Sequence, residues 1–292
     1  MQRPLSSAQL DRYLARIGVD RPHDATLKTL RAVHRAHLLA IPYENLDIHL
    51  GLRMTLDPEA MFTKLVDERR GGWCFEMNGL LGRALETLGF TVRYLSGAVG
   101  RSTRGWRAQG NHLLLLVTLD RPWIADVGFG DGLLTPLPLE PGSYRQDFLQ
   151  FQITRDGPRW RVDNHQFGAA DGFDFTLTPR HPADFANQCL DLQTSPESGF
   201  VKSTVCQRHV PGGLITLRGA TLREVSAAGV TTTVVGDADD YDRVLRQRFD
   251  LAIQGIEALW PLVWERHLQW RGEQAAASLG PGGGGRLPAV DA

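Results

Sequence analysis

The sequence predicts an α+β fold in three successive parts, on three observations. Apolar residues recur at helical spacing through about the first ninety positions, the pattern changes to short β-like runs from about Thr91, and strands and a helix mix from about Pro196. The expected parts are a helical segment (1–90), a mostly antiparallel sheet or small barrel (91–195) and an α/β segment (196–276). The glycine-rich remainder, 277–292, is expected to be disordered.

Each element has its own signal. In SSAQLDRYLARIG, Leu10, Tyr13, Leu14 and Ile17 share one helical face, with serine as a cap and Gly18 as a stop. Leu27, Leu30, Val33 and His37 repeat the pattern up to Pro42, which ends the helix. DPEAMFTKLVDERRGG opens with Asp57 as a cap and Pro58 at the first helical position, and ends at Gly71. In CFEMNGLLGRALETLGF, Phe75, Leu81, Leu85 and Leu88 recur every three to four residues until Gly89. Strands follow in FTVRYLSGAVG, HLLLLVTL, RPWIADVGFG, FLQFQITRDGPRWRVDN and FDFTLTP, with Asp156-Gly157 in a hairpin turn. GGLITLRGATLREVSAAGVTTTVVG reads as further strands, and DADDYDRVLRQRFDLAI as a helix with Asp237 or Asp239 near its start.

Composition limits the function classes. The chain has 292 residues, a net charge of −1, 42 % hydrophobic and 22 % charged residues, an ordinary globular profile. Near-neutral charge argues against a nucleic-acid partner. The longest apolar run, Leu113–Val117, is too short to span a bilayer, and the N-terminus lacks the hydrophobic segment of a signal peptide. Three cysteines and no C-x-x-C pair fit a reducing compartment, so the expected location is cytoplasmic, without a membrane partner. His34 and His37 could share a helical face, but they lack a Cys or carboxylate at zinc spacing. They read as a solvated or hydrogen-bonded helix, and no metal is expected.

The chemistry centres on RRGGWCFEMN. Cys74 follows two glycines and sits near a helix N-terminus, where free N–H groups and the helix dipole favour a thiolate. Gly71 and Gly72 are expected to turn the chain and to leave room for a substrate. His112 begins one apolar strand and Asp126 ends the next, 38 and 52 positions after the cysteine. If those strands pair as a hairpin, their polar ends lie together, and a Cys–His–Asp relay becomes geometrically plausible. Taken singly, each residue also has an ordinary structural reading. Cys189 and Cys206 lack a glycine-flanked helix start and read as structural.

Five stretches resemble segments of the arylamine N-acetyltransferases. RGGWCFEMN is similar to that family's active-site signature, and IPYENLDIHLG to its upstream Pro-Phe-Glu-Asn-Leu segment, with Tyr43 in place of phenylalanine. NHLLLLV and IADVGFGDG resemble the segments carrying the family's histidine and aspartate, and TSPESGFVKSTVCQR resembles its entry to the third domain. The resemblance implies an N-terminal helical bundle, a central antiparallel β-barrel and a C-terminal α/β lid, with a cysteine-protease-like site between the first two. It implies a triad of Cys74, His112 and Asp126, acetyl-CoA as donor, a small aromatic amine or hydrazine as acceptor, and a ping-pong route through an acetyl-cysteine.

By the same resemblance, Tyr43, Val99 and Phe129 are pocket candidates for an aromatic ring, with ordinary core as the alternative. Gly128 and Gly130 are candidates for close approach of the cofactor's pyrophosphate or pantetheine. Arg101, Arg104 and Arg107 around Trp106 read as a solvated basic loop or as contacts to phosphates or adenine. Glu44 and Asn45 are expected to shape the site wall. The Cys74 N–H is the expected first oxyanion donor. Rival readings are a macrolactam-forming amide synthase with the same triad, a thiol hydrolase, and a non-catalytic binding module.

Overall fold

The computed structural model describes residues 4–278; the expected tail falls outside the described residues from position 279 on, as do the side chains of Trp106, Arg107 and residues 274–278. Helix α1 (Ser7–Ile17) starts at a Ser6/Gln9 capping box and stops at Gly18, whose left-handed backbone (φ +70) closes the last turn. It buries Leu10, Tyr13, Leu14 and Ile17, the face read from the sequence. Helix α2 (Leu27–Ala40) buries Leu30, Val33, His34, His37 and Leu38. A two-residue strand, β1 (Tyr43–Glu44), and a short helix, α3 (Leu46–His49), follow.

The next helix departs from expectation. α4 (Pro58–Phe62) is capped by Asp57 as expected, but gives way to a π-helical turn over Thr63–Asp67. The chain is released near Asp67, with Arg69 at φ +55, rather than at Gly71. The wider turn accompanies the burial of Lys64 beside Asp47 and Glu76.

Helix α5 (Cys74–Thr87) is buried on every side from Cys74 to Leu85, so it forms the centre of the helical part rather than an amphipathic surface helix. After it come β2 (Thr91–Val99), α6 (Arg101–Arg104), β3 (His112–Thr118), β4 (Pro122–Ala125), β5 (Leu137–Pro138), β6 (Gly142–Gln146), β7 (Leu149–Asp156), β8 (Arg159–Asp163) and β9 (Gly172–Arg180). They form one antiparallel eight-stranded sheet in the order β5-β4-β3-β2-β9-β8-β7-β6. Its two edges approach closure through Gln146 at the end of β6. That amide accepts from Leu134 N (2.7 Å) and Thr135 N (3.1 Å) and donates to Thr135 O (2.7 Å), just ahead of β5. In the β7–β8 hairpin Asp156 pairs with Arg159, so the central turn residues are Gly157 and Pro158, with Gly157 at φ +55. Asp156 flanks the turn.

The C-terminal part begins with α7 (Ala186–Thr194) and α8 (Gly199–Lys202). It continues through β10 (Val205–Val210), β11 (Gly213–Arg218), β12 (Thr221–Ser226), β13 (Gly229–Val234), α9 (Ala238–Phe249) and α10 (Trp260–Ser278). Asp237 caps α9. The lid sheet has the order β1-β10-β11-β12-β13. Its first strand comes from the N-terminal segment, because Tyr43 pairs with Gln207 and Glu44 with Cys206. One face of this sheet packs Cys206, Ile215, Leu217 and Leu222 against Tyr241, Leu245 and Phe249 of α9. The opposite face places Leu214 and Val225 in the barrel's apolar cluster. No helix among the described residues is long and apolar enough to cross a membrane.

Candidate active site

The start of β3 and the end of β4 meet the N-terminus of α5. The β3–β4 register runs from Thr118↔Pro122 to Leu115↔Ala125, so His112 and Asp126 both lie beyond its last pair, at the same end of the hairpin. Their side chains meet: His112 Nε2 stands 2.6 Å from Asp126 Oδ2, with the two residues 2 % and 1 % exposed. Space for the imidazole comes from Gly97 on the paired strand, where a Cβ would fall 3.1 Å from His112 Cδ2.

Asp126 is held from both sides. Its Oδ1 accepts from Asn78 Nδ2 and from Gly128 N, each at 2.8 Å. Burial alone would raise this carboxyl, but His112, Asn78 and the Gly128 N–H outweigh it and hold the group below the usual carboxylate range. The backbone is pinned as well: Asp126 N–H donates to His34 Nε2 (3.1 Å), leaving His34 Nδ1 to donate to Leu134 O (3.3 Å). The helix read as solvated or hydrogen-bonded therefore buries His34 completely against the aspartate strand. Burial lowers His34 to about 4, so it is neutral near pH 7.

Cys74 is 2 % exposed. Its Sγ lies 3.9 Å from Asn111 O, to which the thiol donates. Asn111 is itself clamped to Val99, accepting from Val99 N (2.8 Å) and donating to Val99 O (2.9 Å). Burial pushes the Cys74 thiol up, and backbone contacts at Leu113 and Phe75 pull the other way without prevailing. The helix N-terminus alone does not make a resting thiolate in so dry a place.

The four glycines have a tighter role than expected. Gly71 and Gly72 do not occupy the left-handed region. A Cβ on Gly71 would strike Pro42 O and Glu44 Cγ, and one on Gly72 would fall 2.8 Å from Glu76 Oε2. They let the chain lie against β1 and Glu76, so this space holds protein atoms rather than substrate. Gly128 faces Cys74 Cα (2.6 Å) and Asn78 Nδ2 (2.5 Å) in the same way. Gly130, at φ +77, faces Gln207 and, at 3.4 Å, Tyr43 Cδ1. The DVGFGD turn thus packs on the cysteine with one glycine and on the lid sheet with the other.

Beneath β1 runs a buried ionic chain. Glu44 pairs with Arg70 (2.7 Å), Arg70 with Asp47 (2.6 Å), Asp47 with Lys64 (2.7 Å) and Lys64 with Glu76 (2.9 Å). Glu76 Oε2 then accepts from Trp73 N (3.2 Å), fixing the residue before the cysteine. Asn45 joins β1 to the lid by donating to Phe200 O and Ser203 O (2.9 and 2.8 Å) and accepting from Val205 N (2.7 Å).

Of the pocket candidates, Phe129 stands edge-on to His112, with ring centroids 5.5 Å apart, and Phe173 lies 5.0 Å from the same ring. Tyr43 is buried in the cluster that contains Cys74. Val99 is buried in the barrel cluster, where its backbone clamps Asn111. In the basic loop Arg101 donates to Gln109 Oε1 (2.7 Å). Among the described residues no group of three or more His, Cys, Asp or Glu side chains could hold a metal.

A family model described as N-acetyltransferase matches residues 26–258. The arylamine N-acetyltransferase 1 of Bos taurus is 37 % identical over 237 residues, covering 73 % of this chain and 82 % of its own. The chain belongs to the arylamine N-acetyltransferase family. It is accordingly an acyltransferase. The solved arylamine N-acetyltransferase of Salmonella typhimurium superposes with a TM-score of 0.81 at 31 % identity, over 89 % of this chain and 98 % of that one. The Mycobacterium marinum arylamine N-acetyltransferase solved in complex with CoA gives 0.77 at 31 % identity, over 88 % and 96 %. Beyond the residues carried over from the family's motifs, the structure adds Asn78, His34 and Asn111. Asn78 had a signal, since it lies one helical turn after Cys74 on the same face. Asn111 stands at the head of the NHLLLLV stretch, though its clamp on Val99 is visible only in the fold, and His34 acts through contacts that no local pattern announces.

Proposed function

We propose that this enzyme moves an acetyl group from acetyl-CoA to an arylamine, arylhydrazine or N-hydroxyarylamine, in a ping-pong sequence through an acetyl thioester on Cys74. The observation that carries the reading is the buried His112–Asp126 pair at 2.6 Å, in a turn whose Gly128 packs directly on the cysteine.

Asp126 occupies His112 Nε2, so Nδ1 is the ring nitrogen that takes the Cys74 proton. A buried anionic sulfur by itself is costly, as the raised thiol indicates. Proton transfer is favourable only as imidazolium forms beside the ionised Asp126, so ionisation and attack proceed together. The sulfur attacks the acetyl-CoA carbonyl, the carbon–sulfur bond to CoA breaks, and the proton on His112 passes to the departing CoA thiolate. In the second half the amine attacks the acetyl-cysteine, His112 takes the amine's proton, and the proton returns to the Cys74 sulfur as the amide leaves. The Cys74 N–H, one of the first amides of α5 and without an intrahelical acceptor, serves as an oxyanion donor. Low exposure limits the water that would hydrolyse the intermediate. Phe129, beside His112, and Tyr43, near Cys74, supply aromatic walls for the acceptor ring, and Val99 supports the wall through Asn111.

Initial rates measured over a grid of acetyl-CoA and arylamine concentrations test the sequence of steps. Parallel double-reciprocal lines are expected; lines that intersect overturn the ping-pong route.

A further inference from the structure

Helix α5 begins without the usual side-chain cap. Its N-cap position is Trp73, which has no side-chain oxygen to accept from the first amides of the helix. The bond is supplied from within the helix instead, because Glu76 Oε2 reaches back to accept from Trp73 N (3.2 Å). On its other side, Trp73 O accepts from Met77 N (2.9 Å). These two bonds hold both peptide groups of Trp73, and the second of those groups carries the Cys74 N–H. The Trp73 ring stands edge-on between Phe75 and Phe200, with centroids 5.3 and 5.4 Å away, so its side chain is fixed as well.

Glu76 is 1 % exposed, and a carboxylate in so dry a place needs partners. Lys64, from the π-helical turn over Thr63–Asp67, donates to both of its oxygens, Oε1 at 2.9 Å and Oε2 at 3.1 Å. Gly72 leaves room for the carboxylate, since a Cβ there would fall 2.8 Å from Oε2. The Gly72 backbone is in turn tied to β1, its N–H donating to Pro42 O (3.2 Å) and its carbonyl accepting from Glu44 N (3.0 Å). Among the described residues the Cys74 N–H has no acceptor. Glu76 therefore occupies the amide before the cysteine and leaves the cysteine's own amide free.

We propose that Glu76 is a positioning residue for acyl transfer: by holding the Trp73 amide it aims the Cys74 N–H at the oxygen of the tetrahedral intermediate, and Lys64 holds Glu76 to that task. A plain structural brace would support the sulfur and the amide alike, and the bonding lacks that symmetry. Glu76 bonds the backbone leading into the Cys74 amide, whereas the cysteine's own atoms meet Asn111 O at the sulfur and the Gly128 turn at Cα. Loss of the acceptor at position 76 therefore loosens the oxyanion donor more than it disturbs the nucleophile. What Trp73 N–H requires is an acceptor; the charge on Glu76 answers Lys64. The proposal rests on the transfer reading above, and its test separates the two.

The test sets two reactions of Cys74 against each other in the full-length enzyme. Acetylation by acetyl-CoA without an amine passes through an oxyanion, whereas alkylation by iodoacetamide displaces iodide and forms none. Both are timed by mass spectrometry of the Cys74 peptide. Lys64→Met with Glu76→Met replaces the ion pair by apolar side chains, a change that buried pairs often tolerate, and leaves Asp47 its bond to Arg70 (2.6 Å). Trp73 N–H then has no acceptor, and acetylation should slow about tenfold or more relative to alkylation, short of the roughly 10²–10³-fold cost of removing an oxyanion donor outright. Lys64→Met with Glu76→Gln, which returns a neutral acceptor, should recover most of the ratio. Glu76→Asp, one methylene short of Trp73 N, should also lower the ratio, and decides the matter if the double methionine variant does not fold. An unchanged ratio in the folded variants overturns the proposal, as does a ratio that glutamine fails to recover. An equal loss of both reactions overturns it too, and makes Glu76 a support for the sulfur or the fold alone. Native enzyme that is alkylated but takes up no acetyl group overturns the transfer reading; native enzyme that is acetylated, with an unchanged ratio in the variants, overturns the positioning role alone.

Discussion

Asp126 keeps its charge in a dry interior because donors from three elements converge on it. Asn78 comes from α5, His112 from β3 and the Gly128 amide from the following turn, and together they outweigh the burial that would protonate the carboxyl. That charge is what makes imidazolium formation at His112 affordable during attack by Cys74. Asp126→Asn keeps the shape but removes the charge and permits the wrong tautomer. Its kcat/KM is expected to fall roughly 10³-fold or more, measured at saturating folding controls by steady-state acetylation; a rate within a few-fold of native would remove Asp126 from the relay. At this scale the sequence was informative where chemistry and motif coincide, as at Cys74, His112 and Asp126. It was silent on His34, whose partners lie 92 and 100 positions away. At the cysteine it supplied one of two opposed effects: helix position favours ionisation, while burial, which only the fold reveals, pushes the thiol up.

Elements place these groups by close approach. The first turn of α5 is fixed from behind by Glu76 on Trp73 N and from the front by the Gly128 backbone. Gly128→Ala would bring a Cβ to 2.6 Å from Cys74 Cα, a backbone neighbour that cannot swing away. Overpacking of this kind costs about 1–3 kcal/mol. A lowered melting temperature together with a changed rate of Cys74 alkylation is expected. Native values for both would mean that the turn and the helix are not coupled. Helices α1, α2 and α9 were legible from caps and periodicity because those signals are local. The π-helical turn after α4 and the recruitment of β1 into the lid sheet were not, because both depend on partners distant in sequence: Lys64 with Asp47 and Glu76, and Tyr43 with Gln207. Gly71 and Gly72 were recognisable as required, but their reason lies in packing against β1 and Glu76.

The whole molecule encloses its polar apparatus between the three parts, and this has a consequence for stability. His34 is lowered to about 4, and His37 and His209 to about 3, each chiefly by burial. In the unfolded chain these groups take up protons near pH 6.5, whereas in the folded chain they stay neutral until pH 4 or below. The unfolded state therefore binds more protons as the pH falls, and stability present above pH 6.5 is lost on the way down to about 4. Each group contributes a slope of about 1.4 kcal/mol per pH unit within that window. Urea midpoints should drop steadily between pH 6.5 and 4.5; a flat profile would show that the three imidazoles are not held neutral. The three-part α+β architecture was visible in the changing residue period, and the enclosure that sets these values was not. The account as a whole depends on Cys74 carrying the acyl group between donor and acceptor. Mixing the enzyme with acetyl-CoA in the absence of any amine, followed by mass spectrometry of its peptides, examines this directly. The account predicts one added acetyl group on the Cys74 peptide, removed on addition of an arylamine; an unmodified Cys74 peptide in enzyme that still acetylates arylamines would contradict it.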